Sequence, residues 1–276
     1  MTGFDDFETL RVTVADGVAY AEIDNPPVNV MTRSLYDDLA RLPEAVAAEP
    51  EARVLVLRSA DPEFFIAHFD VELIQSAPVD RPAERSERLN GFHRMAERYR
   101  TMDTPTICEI GGRVGGGGGE LAASCDMRFG TEATTLCQME VPLGLLPGGT
   151  GTQRLHRLLG RSRAMEIVLG GDDIDGRTLY DWGWLNRLLP AERLRAHVEA
   201  LATRIASFDP ETVRLAKQAV LAAGPDVRPG LIEESYLFQE TLRTDAAQQR
   251  MANFLARGGQ TREGERRVGE LGAELG

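Results

Sequence analysis

The 276-residue chain is short of cysteine, lysine and positive charge, and it has no long apolar run. Its three cysteines, Cys108, Cys125 and Cys137, are odd in number and show no C-x-x-C spacing, so neither a disulfide framework nor a zinc site is expected. Cys108 and Cys125 fall in apolar runs and read as packing residues, and no histidine near Cys137 in sequence marks it as a nucleophile. With 43 acidic against 31 basic residues the net charge is −12, which disfavours nucleic acid and anionic membrane as partners. Lys217 is the only lysine, and that bias carries no functional reading. No apolar run approaches the roughly 20 residues that span a bilayer, and the opening Met-Thr-Gly-Phe-Asp-Asp lacks a basic, apolar leader. A cytoplasmic protein is expected, without internal repeats and long enough to bury a full core.

What the chain does have is a glycine run in an unusual setting. In Pro105-Thr-Ile-Cys-Glu-Ile110-Gly-Gly-Arg-Val-Gly115-Gly-Gly-Gly-Gly-Glu120-Leu-Ala, apolar residues enter the glycines and an apolar helix pattern leaves them. This reads as a strand, a tight turn and a helix start. Glycine lets a ligand approach the main-chain N–H groups, which lie at the positive end of a helix dipole. A negative oxygen is the natural guest there, with Glu120 beside it as candidate acid or base. A flexible linker would have polar flanks. A Walker phosphate loop needs Lys then Ser or Thr where Glu120 stands. The dinucleotide fingerprint gains some support from Glu140, about twenty residues on. That fold, however, places its glycines after the first strand and its acid at a strand end, whereas Glu140 precedes Val141-Pro-Leu-Gly144, which reads as loop.

Along the chain, Leu10–Ala15 and Val18–Ile23 alternate around Asp16-Gly17 and predict an opening hairpin. Thr32 can cap a helix running towards Ala48, and Val54–Leu57 reads as a strand buried on both faces. A charged helix is predicted over roughly 84–100, strands at 106–110, 127–129 and 134–136, and helical spacing through Leu155, Leu158, Leu159, Met165, Ile167 and Val168. The last 75 or so residues read as helical, broken at Asp209-Pro210, Gly224-Pro225 and Arg228-Pro-Gly230, with fraying expected from Gly264 onward. His93, His156 and His197 lie in helical patterns as surface or satisfied residues.

Several separated motifs together resemble the crotonase superfamily, the enoyl-CoA hydratase/isomerase group, over nearly the whole chain. They are Asn25-Pro-Pro-Val-Asn29, Phe65-Ile-Ala67-His68-Phe69-Asp70, the glycine turn with Glu120-Leu-Ala and Cys125-Asp126, and Glu140 with Gly144-Leu-Leu-Pro147-Gly148 and Gly151-Thr-Gln-Arg154. The resemblance implies an α/β fold, the crotonase-like spiral of ββα units, over residues 1–197. It also implies a helical C-terminal region over 198–276 that assembles homotrimers or dimers of trimers. It implies that the backbone N–H groups of Ala67 and Gly117 form an oxyanion hole for an acyl-CoA thioester, with Ala67, His68, Phe69, Asp70, Gly116 and Gly117 contacting substrate. Losing one such donor typically costs about 10²–10³ in rate. Glu120 and Glu140 match the two glutamates that hold a water in hydratases, so reversible hydration of a 2-enoyl-CoA is implied. Coenzyme A is then part of the substrate, and neither metal nor other cofactor is needed. The alternatives are a Δ3,Δ2-enoyl-CoA isomerase or other crotonase-type acyl-CoA enzyme and, further, a non-catalytic acyl-CoA-binding protein. Two departures stand out. His68 occupies the place of the family's usual glycine, and Phe254-Leu-Ala-Arg257-Gly-Gly replaces the family's basic stretch after the last amphipathic helix.

Overall fold

The structure is a computed structural model and describes residues 3–275; Met1, Thr2 and Gly276, at the ends of the two expected regions, lie outside the described residues. The opening hairpin forms as predicted. Strands β1 (Leu10–Ala15) and β2 (Val18–Ile23) pair antiparallel, closing at Ala15 opposite Val18. Asp16 and Gly17 turn the chain with φ of 51° and 78°, the left-handed conformation that Asp and Gly tolerate best. Thr32 then caps the helix Arg33–Ala47, its side chain accepting from Leu35 N–H. That helix lays Leu35, Leu39, Leu42 and Val46 on the core at helical spacing.

From there the chain shuttles between two sheets. β3 (Val54–Ser59), β5 (Thr106–Ile110), β7 (Met127–Gly130) and β10 (Arg187–Leu188) extend the hairpin into a six-stranded sheet of order β1-β2-β3-β5-β7-β10. The intervening strands β4 (Phe64–Ile66), β6 (Arg113–Gly115), β8 (Thr135–Cys137) and β9 (Asp173–Asp175) form a second sheet in the order β4-β6-β8-β9. Every pairing after the hairpin is parallel except β8 with β9. From β3 to β8 each circuit is one strand in each sheet followed by a helix, which is the expected spiral of ββα units. The parallel strands are covered on both faces, which accounts for the unbroken apolar run Val54–Leu57, all of it fully buried.

Three predictions need correction. The glycine run is the first turn of the helix Gly116–Ser124 itself, entered from an extra short strand, β6. Glycines are poor helix formers, and tertiary packing overrides this: a Cβ on Gly119 would sit 2.7 Å from Leu136 Cδ1, and one on Gly118 2.7 Å from Ile66 Cβ. The charged helix begins only at Gly91, where Asn90 caps it through His93 N–H, so residues 84–90 are not helical. The fraying expected from Gly264 onward is replaced, among the described residues, by packing through Leu275. The helices Arg262–Arg266 and Val268–Ala273 fold back, and Val268, Leu271 and Leu275 join a core with Cys137, Met139, Leu143 and Leu145. Among the described residues no helix is long and apolar enough to cross a membrane.

Candidate active site

Where the helix Gly116–Ser124, the loop after β8 and the loop after β4 converge, they enclose a cavity of about 300 Å³. Its wall is apolar, with Phe69, Leu73, Phe92, Phe238 and Leu242, and Glu120 and Glu140 are its only charged lining residues among those described. Two of the wall residues, Phe238 and Leu242, come from the C-terminal helix Arg228–Leu242, which therefore closes the site from outside the sheets.

Glu120 sits one turn into its helix and is 3% exposed. Its Oε1 accepts from Gly149 N–H at 2.9 Å and Gly151 N–H at 2.7 Å, at the start of the helix Gly151–Leu159. Burial, with Glu140 and Glu234 nearby, pushes its pKa well above the usual carboxylate range, against the pull of those two N–H donors. Glu140 is 8% exposed, and its Oε2 accepts from Gln138 Nε2 at 2.9 Å. Burial pushes it up to about 7, although its own N–H, Gln138 and His68 pull it down. The two predicted glutamates are therefore brought to one cavity, both holding protons more tightly than an exposed carboxyl.

Gly117 also lines the cavity, in the first turn of its helix, where no intrahelical acceptor reaches the N–H. The assignment of Ala67 as the second donor fails, because its N–H already donates to Val28 O at 3.3 Å. Phe69, two residues on in the same loop, is the residue that lines the cavity. Met31 bridges Phe69 in a parallel pairing, with Met31 N–H donating to His68 O and Asp70 N–H to Met31 O. In such a pairing the bridged residue turns its own N–H to the side away from its partner strand. The two sites are neighbours: a Cβ on Gly117 would lie 3.2 Å from Phe69 Cβ.

Of the other expected substrate contacts, His68, Asp70 and Gly116 are not among the described lining residues, and each has a neighbour of its own. His68 is 2% exposed and points away from the cavity, its Nε2 3.0 Å from Glu265 Oε1 and its Nδ1 2.8 Å from Phe69 O. Asp70 caps the helix Val71–Gln75 by accepting from Glu72 N–H. Gly116, at φ 40°, fills the space between Glu140 and His68, where a Cβ would meet them at 2.9 and 3.1 Å. The Cys137 thiol is buried, its pKa raised well above the usual by that burial, and it faces Gly171 O.

Sequence reasoning missed three features. Phe69 is expected only as a substrate contact, because the resemblance places the donor at Ala67. Glu265 and the fully buried His93, which pairs with Glu234 at 2.9 Å, left no local signal. Sequence separations of 197 and 141 residues hide both pairs.

The layered spiral of ββα units is the crotonase fold. Residues 13–263 match the family described as enoyl-CoA hydratase/isomerase, and the chain belongs to that family. It is 27% identical over 251 residues to the probable enoyl-CoA hydratase echA8 of Mycobacterium leprae, an alignment covering 90% of this chain and 95% of that protein. It is 30% identical to a probable enoyl-CoA hydratase of Rhizobium meliloti, over 91% and 96% of the two chains. A solved structure from Streptomyces avermitilis, described as a candidate enoyl-CoA hydratase, superposes with a TM-score of 0.88 at 37% identity, covering 98% of both chains.

Proposed function

We propose that the protein is an enoyl-CoA hydratase that adds water reversibly across the double bond of a 2-enoyl-CoA. One observation carries the reading: Glu120, Glu140, Gly117 and Phe69 all line the same apolar cavity. In this reading the thioester oxygen accepts from the N–H groups of Gly117 and Phe69, which hold the negative charge that develops as the enolate forms. A water between the carboxyls loses a proton to one glutamate as its oxygen bonds to Cβ, and the other glutamate supplies the proton that completes Cα. One carboxyl starts protonated and the other ionised, and placing two carboxyls in one buried site favours that state.

Coenzyme A enters as part of the substrate, and the reaction needs no metal or other cofactor. With Glu120 and Glu140 the only charged groups among the described lining residues, the acyl group that fits is neutral and apolar. The reading includes action in the cytoplasm as a homotrimer or dimer of trimers.

The test is loss of enoyl-thioester absorbance on adding the protein to crotonyl-CoA and to a longer 2-enoyl-CoA. Glu120→Gln and Glu140→Gln are each expected to lower kcat by about 10²–10⁴-fold. Conversion of a 3-enoyl-CoA without formation of 3-hydroxyacyl-CoA would replace the hydratase reading with the isomerase one. Tight binding without turnover of either would replace both.

A further inference from the structure

The four amides that open the helix Gly151–Leu159 are divided between two carboxylates. Gly149 and Gly151 donate to Glu120 Oε1, at 2.9 and 2.7 Å. Thr150 donates to Glu234 Oε1 at 2.7 Å and Thr152 to Glu234 Oε2 at 3.0 Å. Successive N–H groups thus point to opposite sides of one backbone segment. Thr150 makes this possible with φ of 108°, a conformation costly for a β-branched residue unless its surroundings impose it. Glu234 belongs to the helix Arg228–Leu242 and is 2% exposed. It also accepts from Thr152 Oγ1 and from His93 Nε2, the latter at 2.9 Å. Four donors converge on it, which suits an ionised, acceptor-only carboxylate. Thr150 and His93 are both fully buried.

We propose that Glu234 and His93 are positioning residues for Glu120: they hold the 149–152 segment in the one conformation that aims two amides at Glu120, and they keep a second negative charge behind it. An amide in place of Glu234 has a single acceptor oxygen for Thr150 and Thr152, which use both carboxylate oxygens, and its NH2 would confront an N–H. The segment would have to shift, and Glu120 with it. The remaining groups facing Glu120 are Glu140 across the cavity and, on its backbone side, Ser124 with the Arg154–Glu97 ion pair. Glu234 is one of the neighbours that raise the Glu120 pKa, so removing its charge lowers that pKa.

This inference deepens the hydratase reading and rests on it for its kinetic arm alone. The test compares Glu234→Gln with wild type in crotonyl-CoA hydration and in a titration of the 13C-labelled glutamate carboxyls, with the Glu120 signal identified by its absence in Glu120→Gln. A fall in kcat of about 10-fold or more with KM changed by less than about 3-fold is expected, together with a Glu120 midpoint lower by about half a pH unit or more. A folded Glu234→Gln with wild-type kcat and an unmoved midpoint overturns the proposal. Should that variant not fold, His93→Leu and His93→Gln decide. A kcat loss in the leucine variant, partly recovered by the glutamine that restores a donor to Glu234, supports the proposal, and indistinguishable variants overturn it. A wild type that hydrates no enoyl-CoA defeats the hydratase reading while the carboxyl titration still decides the role of Glu234.

Discussion

His68 Nε2 lies 3.0 Å from Glu265 Oε1, a buried pair that ties the loop after β4 to the helix Arg262–Arg266 near the chain end. Glu265 Oε1 also accepts from Gln260 N–H, and Gln260 Oε1 accepts from Val71 N–H, both at 2.7 Å. Arg262 and Arg266 grip Glu63 on the other side of β4, and Arg262 also binds Asp61. The helix Arg262–Arg266 and Gln260 just before it therefore clasp the chain on both sides of Phe69. A bulky residue fits the family's glycine position because its side chain leaves the cavity for this clasp, and Phe254 packs edge-on to its ring.

Breaking the clasp should cost stability and rate together. Burial depresses the His68 pKa, but Glu265, the Phe69 carbonyl and Glu140 outweigh it, leaving the imidazole above its usual value. Burial raises Glu265, and His68, the Gln260 N–H and Arg113 outweigh it, leaving it below. The pair's contribution is thus lost as pH falls through the lowered Glu265 pKa and as pH rises through the raised His68 pKa. Glu265→Gln strands a buried imidazole and is expected to destabilise by about 3–5 kcal/mol at neutral pH. Urea denaturation measures this, and an unchanged midpoint would show that the pair is worth nothing net.

The glutamate pair should make stability fall with rising pH. A carboxyl with a raised folded pKa binds protons more tightly folded than unfolded, so stability declines from its ordinary pKa up to its folded one. For Glu140 that window runs from 4.5 to about 7, equivalent to about 3 kcal/mol, and Glu120, also raised, adds to the same trend. Glu140→Gln should therefore melt higher than wild type at pH 8 while losing activity, with the gain shrinking towards pH 5. Thermal melts across that range check the sign, and a variant less stable at pH 8 contradicts it.

What the sequence made legible was local. The hairpin at Asp16-Gly17, the cap at Thr32 and the strand Thr106–Ile110 each carry their signal within a few residues. The glycine turn marks Glu120 in the sequence, whereas Glu140 is picked out only by the family resemblance. The rest depends on residues meeting across the fold, as His68 meets Glu265 and His93 meets Glu234. The charged chain end read as loose, although Val268, Leu271 and Leu275 recur at helical spacing and are buried there. That periodicity was a usable signal, masked by the arginines and glutamates around it.

Assembly should require the helix Pro210–Ala222. None of its side chains is buried in the single chain, and Leu215 and Val220 are 49% and 75% exposed. With the trimer or dimer of trimers expected of the family, that apolar surface is an obvious candidate for subunit contact. Leu215→Glu combined with Val220→Glu is expected to reduce the mass seen by light scattering from a trimer or hexamer to smaller species. A wild-type mass in the double variant would place the contact elsewhere.

Gly117→Ala separates positioning from stability most cleanly. Gly117 is absent from the positive-φ positions, so alanine meets no backbone strain and is favoured over glycine in a helix by about 1 kcal/mol. The added methyl would, however, stand 3.2 Å from Phe69 Cβ and 3.2 Å from Phe92 Cε2, so one of those neighbours must give. In the proposed hydratase reading, movement of Phe69 would displace its N–H from the point where it and the Gly117 N–H meet the thioester oxygen, on which the enolate charge gathers. A kcat lower by about 10²–10³-fold is expected, comparable to the loss of one donor, with a melting temperature near that of wild type. Unimpaired turnover would mean that the two amides do not share an oxyanion. A loss of both kcat and fold would mean that the contact between Gly117 and Phe69 serves packing more than chemistry.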